Sequence, residues 1–269
     1  MNRIPESSPW PFVLPFLAFM AVSILEPRFP ETGPRPSERT GSGPAGQAAE
    51  QQAAEQQAND QYFADQRNRV VIRYCLVYGL KVALTCGLLC WFGRTWIPAF
   101  PMRGSAAALV VGIIGFGIWI GLTWPRLEHG LLEWTGLGGE KSRSQFNPFE
   151  MIDARGLLIA FLALRFFGLV IVVPLCEELF LRGFLMRWVE SPQWWTVSLA
   201  RMSFRGLLVA PLYGVITHPG EAIAAAVWFS LVTWQVNRSG NFWDAVLAHA
   251  VTNLLLGLYV CLFAQWQLW

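Results

Sequence analysis

The sequence predicts an all-α protein, a polytopic membrane helical bundle of about eight segments. Hydrophobic residues make up 54% of the 269-residue chain and charged residues only 14%, whereas a soluble domain carries about 25% charged residues. The charged residues are concentrated between long apolar stretches, as in proteins that cross a membrane several times. Many of the 14 tryptophans lie near the ends of these stretches, where indole rings favour the membrane interface.

Composition divides the chain into three regions. Residues 1–26 contain WPFVLPFLAFMAVSIL, predicted as a retained first membrane span because no A-x-A-like cleavage site follows it. Residues 27–69 are predicted to be a disordered or low-complexity linker, although its AAEQQAAEQQAND repeat is also compatible with a helix of its own. Residues 70–269 hold the remaining apolar stretches and are predicted to form the main membrane domain.

The main domain contains several further apolar segments. They lie at about 70–92, 105–124, 154–175, 176–190, 205–218, 220–236 and 242–263. Segments 176–190 and 205–218 are shorter than the roughly 20 residues needed to cross a bilayer, so we expect them to be partial, tilted or re-entrant. Pro174 is expected to end one helix before the next begins, because proline lacks the backbone N–H that a helix needs.

Composition also argues against two classes of site. The formal net charge is only +2 and the sequence has no basic stripe, so nucleic acid is not expected as a partner. The five cysteines lie in or beside apolar segments, and none of their spacings is that of a zinc knuckle. We expect them to be small buried hydrophobic residues.

A few polar side chains remain within the apolar segments. An ionisable group costs roughly 2.5–3.5 kcal/mol at the bilayer centre, so such groups face one another or a cavity and indicate functional sites. The polar side chains within the apolar segments are Arg73, Lys81, Arg165, Glu177, Glu178, Arg182, His218, Asp244, His249 and Asn253. His129 lies instead in the polar loop 125–153 and is expected at the surface.

The stretch CEELFLRGF, residues 176–184, places two adjacent carboxylates in an apolar setting. Glu178 precedes Arg182 by four residues, so on a helix the two share a face and form an ion pair. Glu177 points about 100° away and is left without that counter-ion. We therefore predict that Glu178 and Arg182 are structural, whereas Glu177 takes a proton from water as a general base. A purely structural salt bridge is the alternative, but it leaves Glu177 unexplained.

Further candidates lie in three later segments. His249 and Asn253 are four residues apart and share a face of the last span, although hydrogen bonding between helices is an alternative role for both. His218 ends an earlier span and is either a site residue or an interfacial one. Asp244 lies in the first turn of the last helix, where a carboxylate is stabilised by the helix dipole, and a supporting role beside the site is the alternative. Arg165 is expected to pair with Glu177 or Asp244, or to hold a substrate carboxylate.

In their order along the chain, these residues resemble the motifs of the type II CAAX prenyl endopeptidases and their bacterial relatives, the CPBP family of intramembrane proteases. Glu177-Glu178-x-x-x-Arg182 matches the first family motif, E-E-x-x-x-R. His249-x-x-x-Asn253 matches the third, H-x-x-x-N. The resemblance covers about residues 70–265.

The second family motif, F-x-x-x-H, is matched only in part. His218 is present, but Gly214 stands where Phe is usual, with Tyr213 beside it. This departure weakens the inference about local packing rather than the assignment of His218. The stretches FNPFEMIDAR and VPLCEELFLRGFLMRW are most similar to the exosortase-associated branch of the family.

The resemblance implies an intramembrane endopeptidase that hydrolyses a peptide bond of a membrane-associated protein. Glu177 would activate water beside Glu178, with His218, His249 and Asn253 lining the same cavity. Two mechanisms stay open: His249 and Asn253 stabilise the oxyanion without a metal, or His218, His249 and Glu177 bind zinc. The lack of an H-E-x-x-H motif favours the metal-free site, so no cofactor is expected and zinc is the alternative.

Other functions stay open. A non-catalytic membrane scaffold or immunity protein of the same fold would keep these residues without using them. A proton-coupled transporter also uses buried carboxylates and histidines, but it predicts inverted repeats, and the N-terminal half has no second E-E-like segment. A haem protein has no support beyond two histidines.

The expected partners are the lipid bilayer and a membrane-associated or lipidated protein substrate, related by resemblance to exosortase. The expected location is the bacterial inner membrane.

Overall fold

The computed structural model of the protein describes residues 8–27, 47–123 and 146–268. Within these ranges all regular secondary structure is helical and no strand occurs, which confirms the predicted all-α class. The helices are α1 Trp10–Ser23, α2 Gln47–Trp91, α3 Gly93–Ala99, α4 Ala106–Thr123, α5 Pro148–Met151, α6 Arg155–Glu190, α7 Phe204–Thr217, α8 Ala222–Ser239 and α9 Phe242–Phe263. Short 3₁₀ turns, Trp194–Thr196 and Trp266–Leu268, follow α6 and α9.

The lengths and composition of these helices are those of an integral membrane protein. Among the described residues, four helices are long and apolar enough to cross a membrane: the Asp65–Trp91 part of α2, and all of α4, α6 and α9. Helices α1 and α7 are apolar but shorter. Large apolar side chains on the outer faces, such as Leu76, Ile113 and Leu262, are more than half exposed. A bilayer would cover these faces, so the fold is a polytopic helical bundle.

Helix α6 corrects one expectation, because it runs unbroken through the segments 154–175 and 176–190 that Pro174 was expected to separate. A π-helical turn, Gly168–Val172, ends two residues before this proline. In that turn the Val173 N–H donates to the carbonyl of Gly168, five residues back. Since a π turn is wider than an α turn, it accommodates the missing donor and the ring without ending the helix.

Helix α2 includes much of the predicted linker. Residues 47–69 are helical, so the helical alternative for the AAEQQAAEQQAND repeat is the one the structure shows. Residues 28–46, and His129 in the loop 125–153, lie outside the described residues. The division into a first span, a linker and a main domain stays a prediction.

Buried Lys81 links α2 to the end of α1 through an ion pair. Lys81 on α2 is only 4% exposed and forms an ion pair with Glu26, just beyond α1. Its ammonium group also lies 3.3 Å from Ser23 Oγ, and 4.5 and 4.9 Å from the ring centroids of Phe19 and Tyr78. These contacts give this intramembrane charge a structural explanation.

Two glycines let α4 approach α8 and α9. A Cβ atom on Gly112 would lie 2.7 Å from the backbone oxygen of Ala248, and one on Gly115 would lie 2.7 Å from the indole of Trp228. The Thr252 hydroxyl group donates to the carbonyl of Gly112 at 2.9 Å. Small residues allow such close contacts between membrane helices. The contact holds α9, which carries His249 and Asn253, against α4.

We expect Gly112→Ala to destabilise the protein by about 1–3 kcal/mol, because the added methyl group overpacks the contact between α4 and α9. Gly117→Ala, on the same helix, is the matched control, since nothing lies within 4 Å of its added Cβ atom. Thermal unfolding of the two variants in detergent measures the difference. Equal unfolding temperatures would contradict this account of the packing.

Candidate active site

A fully buried ion pair lies in the middle of the bundle. Glu178 and Arg182 on α6 are both 0% exposed, and Glu178 Oε2 pairs with Arg182 Nη1 one helical turn away. The Nη2 group of Arg182 continues to α8, where it donates to Thr233 Oγ1 at 3.2 Å and to the carbonyl of Phe229 at 3.4 Å. The pair therefore ties α6 to α8.

The second oxygen of Glu178 holds the imidazole of His249. Glu178 Oε1 lies 3.0 Å from His249 Nδ1, and because an ionised carboxylate only accepts hydrogen bonds, Nδ1 is the nitrogen that donates. The Trp228 ring packs against the imidazole edge-on, with 4.7 Å between centroids. Together these contacts set the orientation of the ring and direct Nε2 away from Glu178. The sequence had indicated only Arg182 as a partner of Glu178.

In the described part of the chain, Glu177 has two polar neighbours, Tyr213 and His249. Its Oε1 accepts a hydrogen bond of 2.7 Å from the hydroxyl group of Tyr213 on α7. Its Oε2 lies 3.7 Å from His249 Nε2, which is longer than a hydrogen bond but close enough for proton exchange through a small adjustment. Sequence reasoning missed Tyr213 as a site residue, and the only signal for it was its place beside the incomplete second motif.

The same incomplete motif has a packing explanation. A Cβ atom on Gly214 would lie 2.5 Å from Cδ2 of Phe229, so a phenylalanine at position 214 would occupy the space that Phe229 fills from α8. The Phe229 ring centroid lies 5.4 Å from that of Tyr213 and 5.9 Å from that of His218. An aromatic ring therefore stands beside these two residues, but α8 supplies it instead of α7.

His218 ends α7, just before Pro219. Its Nδ1 lies 3.3 Å from the carbonyl of Gly214 and 2.9 Å from Thr217 Oγ1. The imidazole also packs edge-on against Trp119 of α4, with 5.5 Å between ring centroids. These contacts hold Nδ1 against the end of the helix.

Asn253 bonds to the π-helical turn Gly168–Val172 of α6. Its Nδ2 donates to the carbonyl of Leu169 at 2.9 Å. The Val173 N–H donates to the carbonyl of Gly168, and Pro174 has no N–H. The Leu169 carbonyl therefore has no donor within its own helix, and the Asn253 side chain supplies the hydrogen instead. Part of the donor capacity of Asn253, predicted for an oxyanion, is therefore engaged with the backbone. The amide carries a second N–H.

Five of the predicted residues line one cavity of about 280 Å³, which is bounded by α4, α6, α7, α8 and α9. The polar residues of its wall are Arg165, Glu177, Thr217, His218, His249, Thr252 and Asn253. The rest of the wall is apolar or aromatic. Within the described part of the chain, Glu178 and Arg182 are not among the residues that line this space. Glu178 therefore reaches it only through His249.

The remaining candidates lie apart from this centre or at its edge. The guanidinium of Arg165 lies over the Tyr78 ring, 4.8 Å from its centroid, and Arg165 lines the cavity. Asp244 is buried in the first turn of α9 and accepts a hydrogen bond of 2.9 Å from the Asn241 side chain. Arg73 is exposed on α2. The roles suggested for Arg165 and Asp244 stay predictions.

The arrangement does not fit zinc. A zinc site needs at least three protein ligands about 2.0–2.3 Å from the ion. In the ranges that the structure describes, no group of three His, Cys, Asp or Glu side chains is placed to hold a metal ion. No step below depends on a metal.

One comparison with known proteins finds a relationship. Residues 159–255 match the family described as type II CAAX prenyl endopeptidase Rce1-like, whereas no curated protein and no solved structure matches the chain. The matched range contains Glu177, Glu178, His218, His249 and Asn253. Assignment to the exosortase-associated branch stays a prediction. The match supports a relationship between this helical core and the CPBP family of intramembrane proteases, two of whose three motifs the sequence matches in full.

Proposed function

We propose that the protein is an intramembrane endopeptidase in which Glu177 activates water. One observation carries the proposal: Glu177, oriented by Tyr213 and facing His249, lines a single cavity with His218 and Asn253. The family match supports the reaction class. A carboxylate, an imidazole and an amide around one cavity are groups that can carry out peptide hydrolysis.

In the first step, Glu177 Oε2 accepts a proton from a water molecule in the cavity. The water oxygen then forms a bond to the carbonyl carbon of the scissile peptide, and the carbonyl oxygen becomes an oxyanion. Oε2 is the oxygen that acts, since Oε1 is bonded to Tyr213. General-base catalysis of this kind typically contributes about 10²–10⁴-fold to the rate.

The oxyanion is stabilised by donors from α9. The second N–H of Asn253 and, when it carries a proton, Nε2 of His249 both belong to residues that line the cavity. Such donors are effective because they are oriented before the charge develops. Glu178 contributes by holding His249 Nδ1, in the way that a buried carboxylate orients the histidine of a catalytic triad.

In the last step, the carbon–nitrogen bond breaks and the leaving nitrogen takes the proton that Glu177 acquired from water. The products are a carboxylic acid and an amine, and Glu177 returns to its starting state. His249, which lies 3.7 Å from Glu177, is the second group that can carry this proton.

The substrate we propose is a membrane-associated or lipidated protein, with CAAX-type processing suggested by the matched family. Much of the cavity wall is apolar, and the helices that surround it have the composition of membrane spans. We place the protein in the bacterial inner membrane, with an exosortase-related substrate as a narrower proposal. A scaffold or a transporter of the same fold would not cleave peptides.

We expect Glu177→Gln to fold like the wild type and to lose about 10²–10⁴-fold in kcat. The amide oxygen still accepts the Tyr213 hydrogen, but an amide does not take a proton from water. The measurement is cleavage of fluorogenic peptides, prenylated and unprenylated at the C-terminus, by purified protein in detergent. Glu190→Gln is the matched control, because Glu190 ends the same helix and bonds to Ser203 away from the cavity. Wild-type activity in Glu177→Gln would refute the proposal.

We expect Glu178→Gln to lose stability as well as activity. The change leaves Arg182 buried without a counter-ion, and breaking one side of a buried ion pair costs about 3–5 kcal/mol. Thermal unfolding in detergent should therefore fall well below that of Glu177→Gln. If both variants unfold at the wild-type temperature, the assigned structural role of Glu178 is wrong.

We expect a chelator to leave the cleavage rate unchanged, because the described residues provide no three-donor metal site. The assay compares wild-type activity before and after dialysis against EDTA, and again after addition of zinc. Loss of activity with the chelator, restored by zinc, would establish the metal-dependent alternative.

A further inference from the structure

We propose that Tyr213 is a positioning residue for Glu177, which it holds so that Oε2 is the oxygen that takes the proton. The inference rests on the proposed function and extends it to a residue outside the three motifs. The hydroxyl group of Tyr213 donates to Glu177 Oε1 at 2.7 Å, and both side chains are buried, with 8% and 6% of their surface exposed.

The hydrogen bond from Tyr213 makes the two oxygens of Glu177 different from each other. Oε1 is engaged with a neutral donor, whereas Oε2 faces His249 Nε2 at 3.7 Å. A free carboxylate would rotate and present either oxygen. With one oxygen held, the side chain keeps a single orientation, and the base need not be ordered again in each turnover.

The ring of Tyr213 is itself fixed by three aromatic neighbours. Its centroid lies 5.9 Å from that of Phe16 on α1, 6.0 Å from that of Phe180 on α6 and 5.4 Å from that of Phe229 on α8. Rings at these distances pack favourably and restrict rotation of the side chain. The hydroxyl group is therefore held in place before it meets Glu177.

Tyr213 acts through Glu177 and not on the substrate. In the described part of the chain it is not among the residues that line the cavity, whereas Glu177 and Phe229 are. It is joined to the end of α7 by Thr217, whose hydroxyl group donates to the Tyr213 carbonyl at 2.9 Å and lies 2.9 Å from His218 Nδ1. One helix thus orients both Glu177 and His218.

Gly214 makes this placement of α7 feasible. Its missing side chain allows Phe229 to pack directly on α7, and the adjacent residue, Tyr213, then lies within hydrogen-bond distance of α6. The departure from the family's second motif is therefore connected to a hydroxyl group in the site. Gly214 and Tyr213 therefore act together in this chain: the first allows the close packing, and the second provides the hydroxyl group.

We expect Tyr213→Phe to lower kcat about tenfold to a hundredfold with KM unchanged, the usual effect of removing one hydrogen bond to a charged group. The assay uses a fluorogenic peptide that the wild type cleaves. In the Glu177→Gln background the same change should alter the residual rate by no more than about twofold, because no base remains to be oriented. A further large loss in that background would overturn the assigned route through Glu177.

Tyr74→Phe is the matched control. Tyr74 has the same exposed fraction as Tyr213, 8%, but it packs against Phe146 and Phe161, away from Glu177. Its kcat should equal that of the wild type. If Glu177→Gln is inactive while Tyr213→Phe keeps wild-type kcat, the inference fails and the proposed function stands. If Glu177→Gln keeps wild-type kcat, the proposed function fails.

A second measurement needs no substrate. Infrared difference spectra between the wild type and Glu177→Gln should contain a shifted tyrosine C–O band, because the acceptor of the Tyr213 hydrogen changes from a carboxylate to an amide. The band should be absent when the same comparison is made in the Tyr213→Phe background and present in the Tyr74→Phe background. Absence of any tyrosine band in the wild-type comparison would overturn the inference.

Discussion

The buried charge of Glu178 is the constraint on which the rest of the site depends. A carboxylate with no exposed surface is tolerated only when both of its oxygens have strong partners. One oxygen is paired with Arg182 on the same helix, and the other accepts from His249 on α9. Arg182 in turn reaches Thr233 on α8. Satisfying a single charge therefore fixes three helices relative to one another, and the cavity lies where they meet.

The two adjacent glutamates differ in their partners more than in their burial. Glu178 is held by a cation and a histidine, whereas Glu177 is held by the neutral phenol of Tyr213 and faces the histidine without a hydrogen bond. The imidazole of His249 lies between the two carboxylates. It thereby connects a carboxylate that maintains the fold with the carboxylate that we propose activates water. A change at Glu178 is expected to reach the cavity through this ring.

The sequence alone was sufficient to predict which side chains meet when they lie one turn apart on the same helix. A spacing of four residues predicted that Glu178 would meet Arg182 and that His249 and Asn253 would share a face. The contact between Glu178 and His249 spans 71 residues and depends on how α6 packs on α9, which no local pattern contains. Pro174 was expected to end a helix because that rule applies to α-helical turns, whereas α6 contains a π turn at this point.

That π turn joins two distant positions into a compensating pair. Pro174 removes a backbone donor from α6, and Asn253 returns one to the carbonyl of Leu169. A substitution of the proline would restore the backbone donor and free the asparagine amide, whereas a substitution of the asparagine alone would leave a carbonyl inside the bundle without its hydrogen. We therefore expect the loss of Asn253 to cost less stability when residue 174 carries a backbone N–H than when it is proline.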